Sequence, residues 1–172
     1  MAYKRHQTPL TPEQAVQYAL RLLSERAYSV AKLSQKLAQH QLPQAEIDAI
    51  VSKLIDLGLL NDQRYAQSLA RQEIELSQKS RWWTKQKLIS KGIDSEIINL
   101  VMDEAAQQSS ENNQIDYHIA KHLKRYGQPS SHNDRQKIIA KLARRGFKPG
   151  QVISRLNELK NADLPQEENL LE

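Results

Sequence analysis

Apolar residues recur along this chain at spacings of three and four. Ala15, Tyr18, Ala19, Leu22 and Leu23 make one stripe, Leu33 and Leu37 a second, and Ile47, Ile50, Val51, Leu54 and Ile55 a third. That period lines one face of an α-helix, whereas a half-buried strand would alternate. The boundaries carry their own signals. Thr11-Pro12-Glu13-Gln14 offers a capping threonine, a proline that fits the first turn and a glutamine placed to close a capping box. A second helix is expected after Ser29 and a third after Pro43, with Gly58 ending it in a left-handed cap.

The same pattern then returns twice. Lys36-Leu37, Leu42, Ile47 and Val51 superpose without gaps on Lys87-Leu88, Ile93, Ile98 and Met102, and again on Lys141-Leu142, Phe147, Val152 and Leu156, at offsets of 51 and 54 residues. The same offsets align Ala15 with Ala66 and Ala120, and Tyr18 with Leu69 and Leu123. Gly58, Gly92, Gly127 and Gly146 fall where helices should stop and need positive φ, while Gly150 beside Pro149 opens the last helix. The expected architecture is all-α: three tandem three-helix, helix-turn-helix-like repeats in an elongated curved array. The expected division is a flexible arm over 1–10, repeats over 11–60, 61–110 and 111–160, and an acidic tail over 161–172.

Composition agrees and narrows the chemistry. The 172 residues include 5 Gly, no Cys and only 5% aromatics, and the mean hydropathy is -0.70, a wet, helix-tolerant mixture with a thin core. Disulfides and thiolate metal sites are excluded, and no run approaches the roughly 18 apolar residues of a membrane span. The expectation is a cytoplasmic protein with no membrane partner. The formal charge of +5 is unevenly placed. From Tyr117 to Lys160 eleven Lys and Arg stand against two acids, whereas residues 161–172 hold four acids and no Lys or Arg. A local positive field of this kind suits an acidic partner or nucleic acid.

Catalytic patterns are missing. The glycines act as helix terminators and do not cluster into a phosphate-cradling loop, and no Gly-x-Ser-x-Gly elbow occurs. His118 and His122 have the i, i+4 spacing with which two imidazoles can share a metal. Lys121, Lys124 and Arg125 would repel a cation there, so the pair reads as solvated or phosphate-facing. The chain reads as a non-enzyme without cofactor or metal.

Stacking the second helices on the Lys-Leu register gives the better candidate site. Lys36, Lys87 and Lys141 share one position, His40, Lys91 and Arg145 lie four residues on, and Lys32, Trp83 and Lys137 lie four residues back. All nine are expected on one exposed helical face. Such recurring charge suits an extended polyanion or an acidic groove. Trp82-Trp83 lies in a stretch, 79 to 91, that contains Lys79, Arg81, Lys85, Lys87 and Lys91 and no acid, and Trp83 is expected to expose its indole. Lys124, Arg125 and Arg144 complete the candidate set.

The run Gly58-Leu59-Leu60-Asn61-Asp62-Gln63-Arg64-Tyr65-Ala66 and the run Lys87-Leu88-Ile89-Ser90-Lys91-Gly92-Ile93 resemble the central repeat of the RecX family. Lys124-Arg125-Tyr126-Gly127 and Ala143-Arg144-Arg145-Gly146-Phe147 resemble that family's third repeat, so the likeness spans about residues 12 to 160. Ser80-Arg81-Trp82-Trp83-Thr84 departs from the usual glycine followed by an apolar or basic turn. The resemblance implies a monomeric negative modulator that lies in the groove of the RecA filament and restrains filament extension, ATP hydrolysis, strand exchange and coprotease activity. That places it in DNA repair, homologous recombination and the SOS response, with weaker binding to single- and double-stranded DNA and no cofactor. The alternative that the residues leave open is a stand-alone helix-turn-helix DNA binder.

Overall fold

The computed structural model describes residues 8–108 and 110–162, with side chains to residue 159. Most of the expected arm and tail lies outside the described residues. Within them the chain is all-α, with no strand. The elements are α1 (Pro12–Glu25), α2 (Val30–Ala38), α3 (Gln44–Asp56), α4 (Asp62–Arg71), a π-helical turn (Gln72–Leu76), α5 (Arg81–Ser90), α6 (Ser95–Gln108), α7 (Glu111–Tyr126), α8 (His132–Ala143) and α9 (Pro149–Ala162).

The starts expected at Thr11 and Ser29 form, and three further side-chain caps accompany them. Thr11 caps α1 in a complete capping box, its backbone N–H donating to Gln14 Oε1 at 3.0 Å. Ser29 accepts from Lys32 N at the head of α2, Asn61 from Arg64 N at α4, Ser110 from Asn112 N at α7, and Ser131 from Asp134 N at α8. Gly58, Gly92, Gly127 and Gly146 adopt φ of 68°, 75°, 76° and 91°. Gln41 stands where the repeat puts glycine in its later copies, and it takes the same left-handed conformation at φ 59°.

The chain forms two compact units whose boundary runs through α5 and α6. The first comprises residues up to Arg71 together with Lys85–Asp103, and the second Gln72–Thr84 together with residues from Glu104 onward. The first unit's core gathers Ala15, Ala19 and Leu22 of α1, Leu33 and Leu37 of α2, and Ile47, Ile50, Val51 and Leu54 of α3. Ile55, expected inward, is 46% exposed, because the buried face of α3 is a narrow stripe that one step around the helix leaves behind. The second unit closes over Ile115 and Ile119 of α7, Ile138 and Leu142 of α8, and Phe147, Val152 and Leu156. Full burial of a Leu or Ile is worth about 1.5–3 kcal/mol, and Leu33, Leu37, Ile115, Ile119 and Ile138 are all fully covered.

All twelve positions of the Leu-Ile register are buried in their three copies, from Leu37 to Leu156. The first-helix alignment fails in the third copy. Ala120 faces solvent, and Ile115 and Ile119 occupy the places held by Ala66 and Ala70. The cause is largely the length of α8. It has 12 residues against 9 in α2, beginning a turn earlier at its Ser131 cap, so a gapless 54-residue offset overshoots α7.

Candidate functional site

Each unit contains one joint in which the head of a second helix meets the following helix set. In the first unit Ser29 Oγ donates to Lys91 O at 2.6 Å, and Val30 N donates to Asp62 Oδ1 at 2.8 Å. Asp62 therefore supplies from α4 a cap that α2 needs for its free N–H groups. Burial raises the Asp62 carboxyl above its ordinary value, and the Val30 bond opposes that rise. Gly92 closes the contact, since a Cβ there would stand 2.5 Å from Ala31 Cβ. Glycine at this turn thus serves close approach as well as positive φ.

The second unit repeats the joint at equivalent positions. Ser80 N donates to Arg145 O at 3.1 Å, and Arg81 N donates to Glu111 Oε1 at 2.8 Å, so Glu111 of α7 caps α5 as Asp62 caps α2. A Cβ on Gly146 would strike Ser80 Oγ and lie 2.7 Å from Trp83 Cβ. This joint also binds the carbonyls that the π-helical turn and left-handed Gln78 leave unspent. Gln114 Nε2 donates to Ile74 O at 3.1 Å, Arg145 Nη1 to Ser77 O at 2.9 Å, and His118 Nε2 to Gln78 O at 2.8 Å. Burial holds His118 below its ordinary imidazole value. The Gln78 bond pulls back, while Arg145, Lys141 and Lys121 push in the same direction as burial. The ring is therefore neutral with its proton on Nε2. Across the same unit, Arg155 grips Asp116 through two bonds, 2.9 and 2.5 Å, and also reaches Glu158.

Beside each joint lies a basic cleft. In the first unit a cleft of about 220 Å³ is lined by Arg26, Lys32, Lys36 and Lys91, with Tyr28 and Tyr65, and by no acid among its lining residues. Arg26 is held over the Tyr28 ring, 4.8 Å from its centroid, and Nε donates to the Tyr28 hydroxyl at 2.8 Å. In the second unit a cleft of about 350 Å³ is lined by Lys79, Lys121 and Arg145, with Ser77, His118 and Tyr117. Residues 77–79 occupy there the place of 26–28, and Arg145 the place of Lys91. A third hollow, about 520 Å³ beside α8, gathers Lys137, Lys141, Arg144 and His122 around Ser130 and Asp134.

The structure distributes the expected site residues unevenly. Lys32, Lys36 and Lys91 converge on the first cleft, Lys79 and Arg145 on the second, and Lys137, Lys141 and Arg144 on the third hollow. Arg81 opens α5, Lys87 is half-buried on that helix, and Lys124 and Arg125 face solvent near the end of α7. The nine stacked positions are not one uniformly exposed face. Lys137 and Lys141 are exposed, whereas Lys32, Lys36, His40, Trp83, Lys87, Lys91 and Arg145 are half-buried. His40 binds Thr8 O through Nδ1 at 3.0 Å and meets the Tyr18 ring edge-on. Trp83, expected exposed, lies beneath Lys79 at 4.6 Å, and Trp82 is the exposed indole at 60%. Gly146 lies against both residues, since a Cβ there would stand 2.7 Å from Trp83 Cβ and 3.3 Å from Trp82 Cε3. His118 is buried at its carbonyl and so departs from the solvated pair expected with His122. No group of three metal-ligating side chains occurs among the described residues. The capping roles of Asp62 and Glu111 are not visible in the sequence, where both read only as acids at the first position of a helix.

Comparison with known proteins fits this architecture. The model of the first three-helix domain of RecX matches residues 15–54, and that of the second three-helix domain matches residues 61–102. A regulatory protein RecX of Trichlorobacter lovleyi is 32% identical over 136 residues, covering 76% of this chain and 85% of that protein. The chain belongs to the RecX family. The crystal structure of RecX from Lactobacillus salivarius superposes with a TM-score of 0.72 at 27% identity, covering 87% of this chain and 97% of the other. A regulatory protein RecX of Listeria monocytogenes is 28% identical over 129 residues, and the chain spans about half of that relative, 48%. RecX proteins are named as regulators, and in this chain the run around Asn61-Asp62 builds a joint: Asn61 caps α4, Asp62 caps α2 and Tyr65 lines the basic cleft. No described helix is long and apolar enough to cross a membrane.

Proposed function

We propose that this chain is a non-enzymatic negative modulator of the RecA recombinase, acting in the cytoplasm as a monomer that binds the RecA–DNA filament. On this reading the repeats at 11–60, 61–110 and 111–160 each present a basic second helix to the filament groove, limiting filament extension, ATP hydrolysis, strand exchange and coprotease activity. The carrying observation is the recurrence of Lys36, Lys87 and Lys141 at one register position, each preceding a buried leucine that fixes its direction. Regularly placed cations match a regularly repeating acidic target and bias it toward the state they bind best.

The test is charge reversal at Lys36, Lys87, Lys137 and Lys141 together, sparing Arg145 because it holds Ser77 O. The expected result is loss of inhibition of DNA-stimulated ATP hydrolysis by RecA with an unchanged helical circular-dichroism signal. Full inhibition by the reversed chain would sink the reading. The acid-free cleft favours one second reading, a DNA binder that needs no RecA. Co-sedimentation with RecA–DNA filaments and with bare DNA across salt separates the two, since tight, salt-steep binding to bare duplex alone supports the second.

A further inference from the structure

The joint clefts are a built, repeated feature that filament binding by helix faces does not require. Both are walled by the loop between a first and a second helix, and both are closed by the residue just before the close-packed glycine, Lys91 in one and Arg145 in the other. Both contain a tyrosine from the first helix of the following set. Tyr65 lines the first cleft and Tyr117, 49% exposed, the second. The second cleft, about 350 Å³, falls at the lower end of the size of small-molecule pockets, about 300–1,000 Å³, and the first, about 220 Å³, is somewhat smaller.

We propose that each joint cleft binds one nucleotide of a single-stranded nucleic acid, its phosphate on the clustered cations and its base or sugar against the tyrosine. Arg26 and Lys36 are the principal phosphate contacts of the first cleft, and Lys79 and Lys121 of the second. Phosphodiester is favoured over protein carboxylates by two observations. Several cations converge from different walls without a lining acid in either cleft, which suits the tetrahedral oxygens of a phosphate better than a planar carboxylate. Each cation cluster is also paired with an aromatic ring, the combination by which single strands are held without sequence readout. Arg26 is already aimed by the Tyr28 ring and hydroxyl, so little side-chain freedom is lost on binding.

The experiment uses the full chain and a fluorescein-labelled oligothymidylate, with no RecA present, and reads fluorescence anisotropy across salt. Arg26→Gln with Lys36→Gln empties the first cleft, and Lys79→Gln with Lys121→Gln the second. Each pair should weaken binding about 10-fold and flatten the log-log salt slope by about 0.7, the share of the one phosphate that each cleft holds. Tyr117→Ala should weaken oligothymidylate about 10-fold while leaving inorganic polyphosphate binding unchanged, a split that a merely electrostatic patch would not give. Circular dichroism monitors folding, and Tyr117→Phe, which keeps the ring, should restore binding. Unchanged affinity and slope in both charge pairs overturn the inference, as does polyglutamate competing as well as the oligonucleotide at equal charge. Because RecA is absent, failure here leaves the filament reading standing, and failure of the four-lysine reversal leaves this inference standing.

Discussion

The two joints share a backbone plan and differ in the chemistry that fills it. In the first, a serine hydroxyl, one borrowed carboxylate and a glycine fasten α2 to the turn at Lys91, and the space around them is occupied by Tyr28, Tyr65 and aliphatic stems. In the second, the carboxylate and the glycine recur but Ser80 meets the equivalent carbonyl through its backbone N–H, and Gln114, His118 and Arg145 each spend a donor on a carbonyl between Ile74 and Gln78. The difference starts in the chain between the first and second helices. The π-helical turn and the left-handed Gln78 turn carbonyls away from their helical partners, and buried carbonyls without donors would cost about 1–3 kcal/mol each. A local irregularity in one copy has thus been matched by polar side chains in the next. Where α4 continues from Leu69, the corresponding residue of α7 is His118.

The largest effects should come from adding a methyl where the joints are tightest. Gly146→Ala meets both the left-handed backbone and the Ser80 and Trp83 contacts, and should lower unfolding free energy by about 3 kcal/mol or more. Gly92→Ala, against Ala31 alone, should cost slightly less, and Gly58→Ala, with nothing near it, only about 1 kcal/mol. Urea unfolding of the three variants tests the order. Equal losses at Gly58 and Gly146 would show that close approach matters less than backbone conformation.

Next come the borrowed caps. Asp62→Ala and Glu111→Ala should each cost about 1 kcal/mol and raise amide exchange at Val30 and Arg81 respectively. A change confined to one joint would break their equivalence.

Acidification should separate the units. His118 in the folded unit sits below its ordinary value of 6.5, so above about pH 6.5 neither folded nor unfolded chain is protonated there and the group adds no pH dependence. Below it the unfolded chain takes up a proton first, and stability falls with pH until the folded value is passed. As pH falls below about 6.5 exchange protection around α7 should decline, and His118→Gln should flatten the decline. The smallest expected change is a gain. Gln41→Gly relieves a left-handed side-chain position and should stabilise the first unit by about 0.5 kcal/mol, read as a small rise in urea midpoint.

Much of this arrangement was legible in advance because it depends on periodicity. The Leu-Ile register, the Thr11 capping box and the positive-φ glycines follow from helix geometry and local sterics, and each falls where the pattern puts it. The third copy's first helix slipped because a gapless offset cannot see an added turn of α8. Which of Trp82 and Trp83 is sheltered was not legible, because both lie against Gly146 in the fold and adjacent identical residues carry no local signal that tells them apart. The candidate lysines were identifiable, but their gathering into clefts was not, since Lys91 joins Lys32 and Lys36 across about sixty residues of chain. The caps Asp62 and Glu111 looked like ordinary first-turn acids, and their role became visible only with the helix they serve.

Gln41 carries one more consequence. A turn that seats a helix head within one chain offers the same contact to a helix head of another molecule, and head-to-tail contacts of that kind grow into open-ended polymers. The glycine that makes the contact possible is replaced by a long amide at the one turn with no predecessor among the described helices, so the coupling surface there is blunted. A side chain at that turn crowds any helix head that would approach it as Ala31 approaches Gly92.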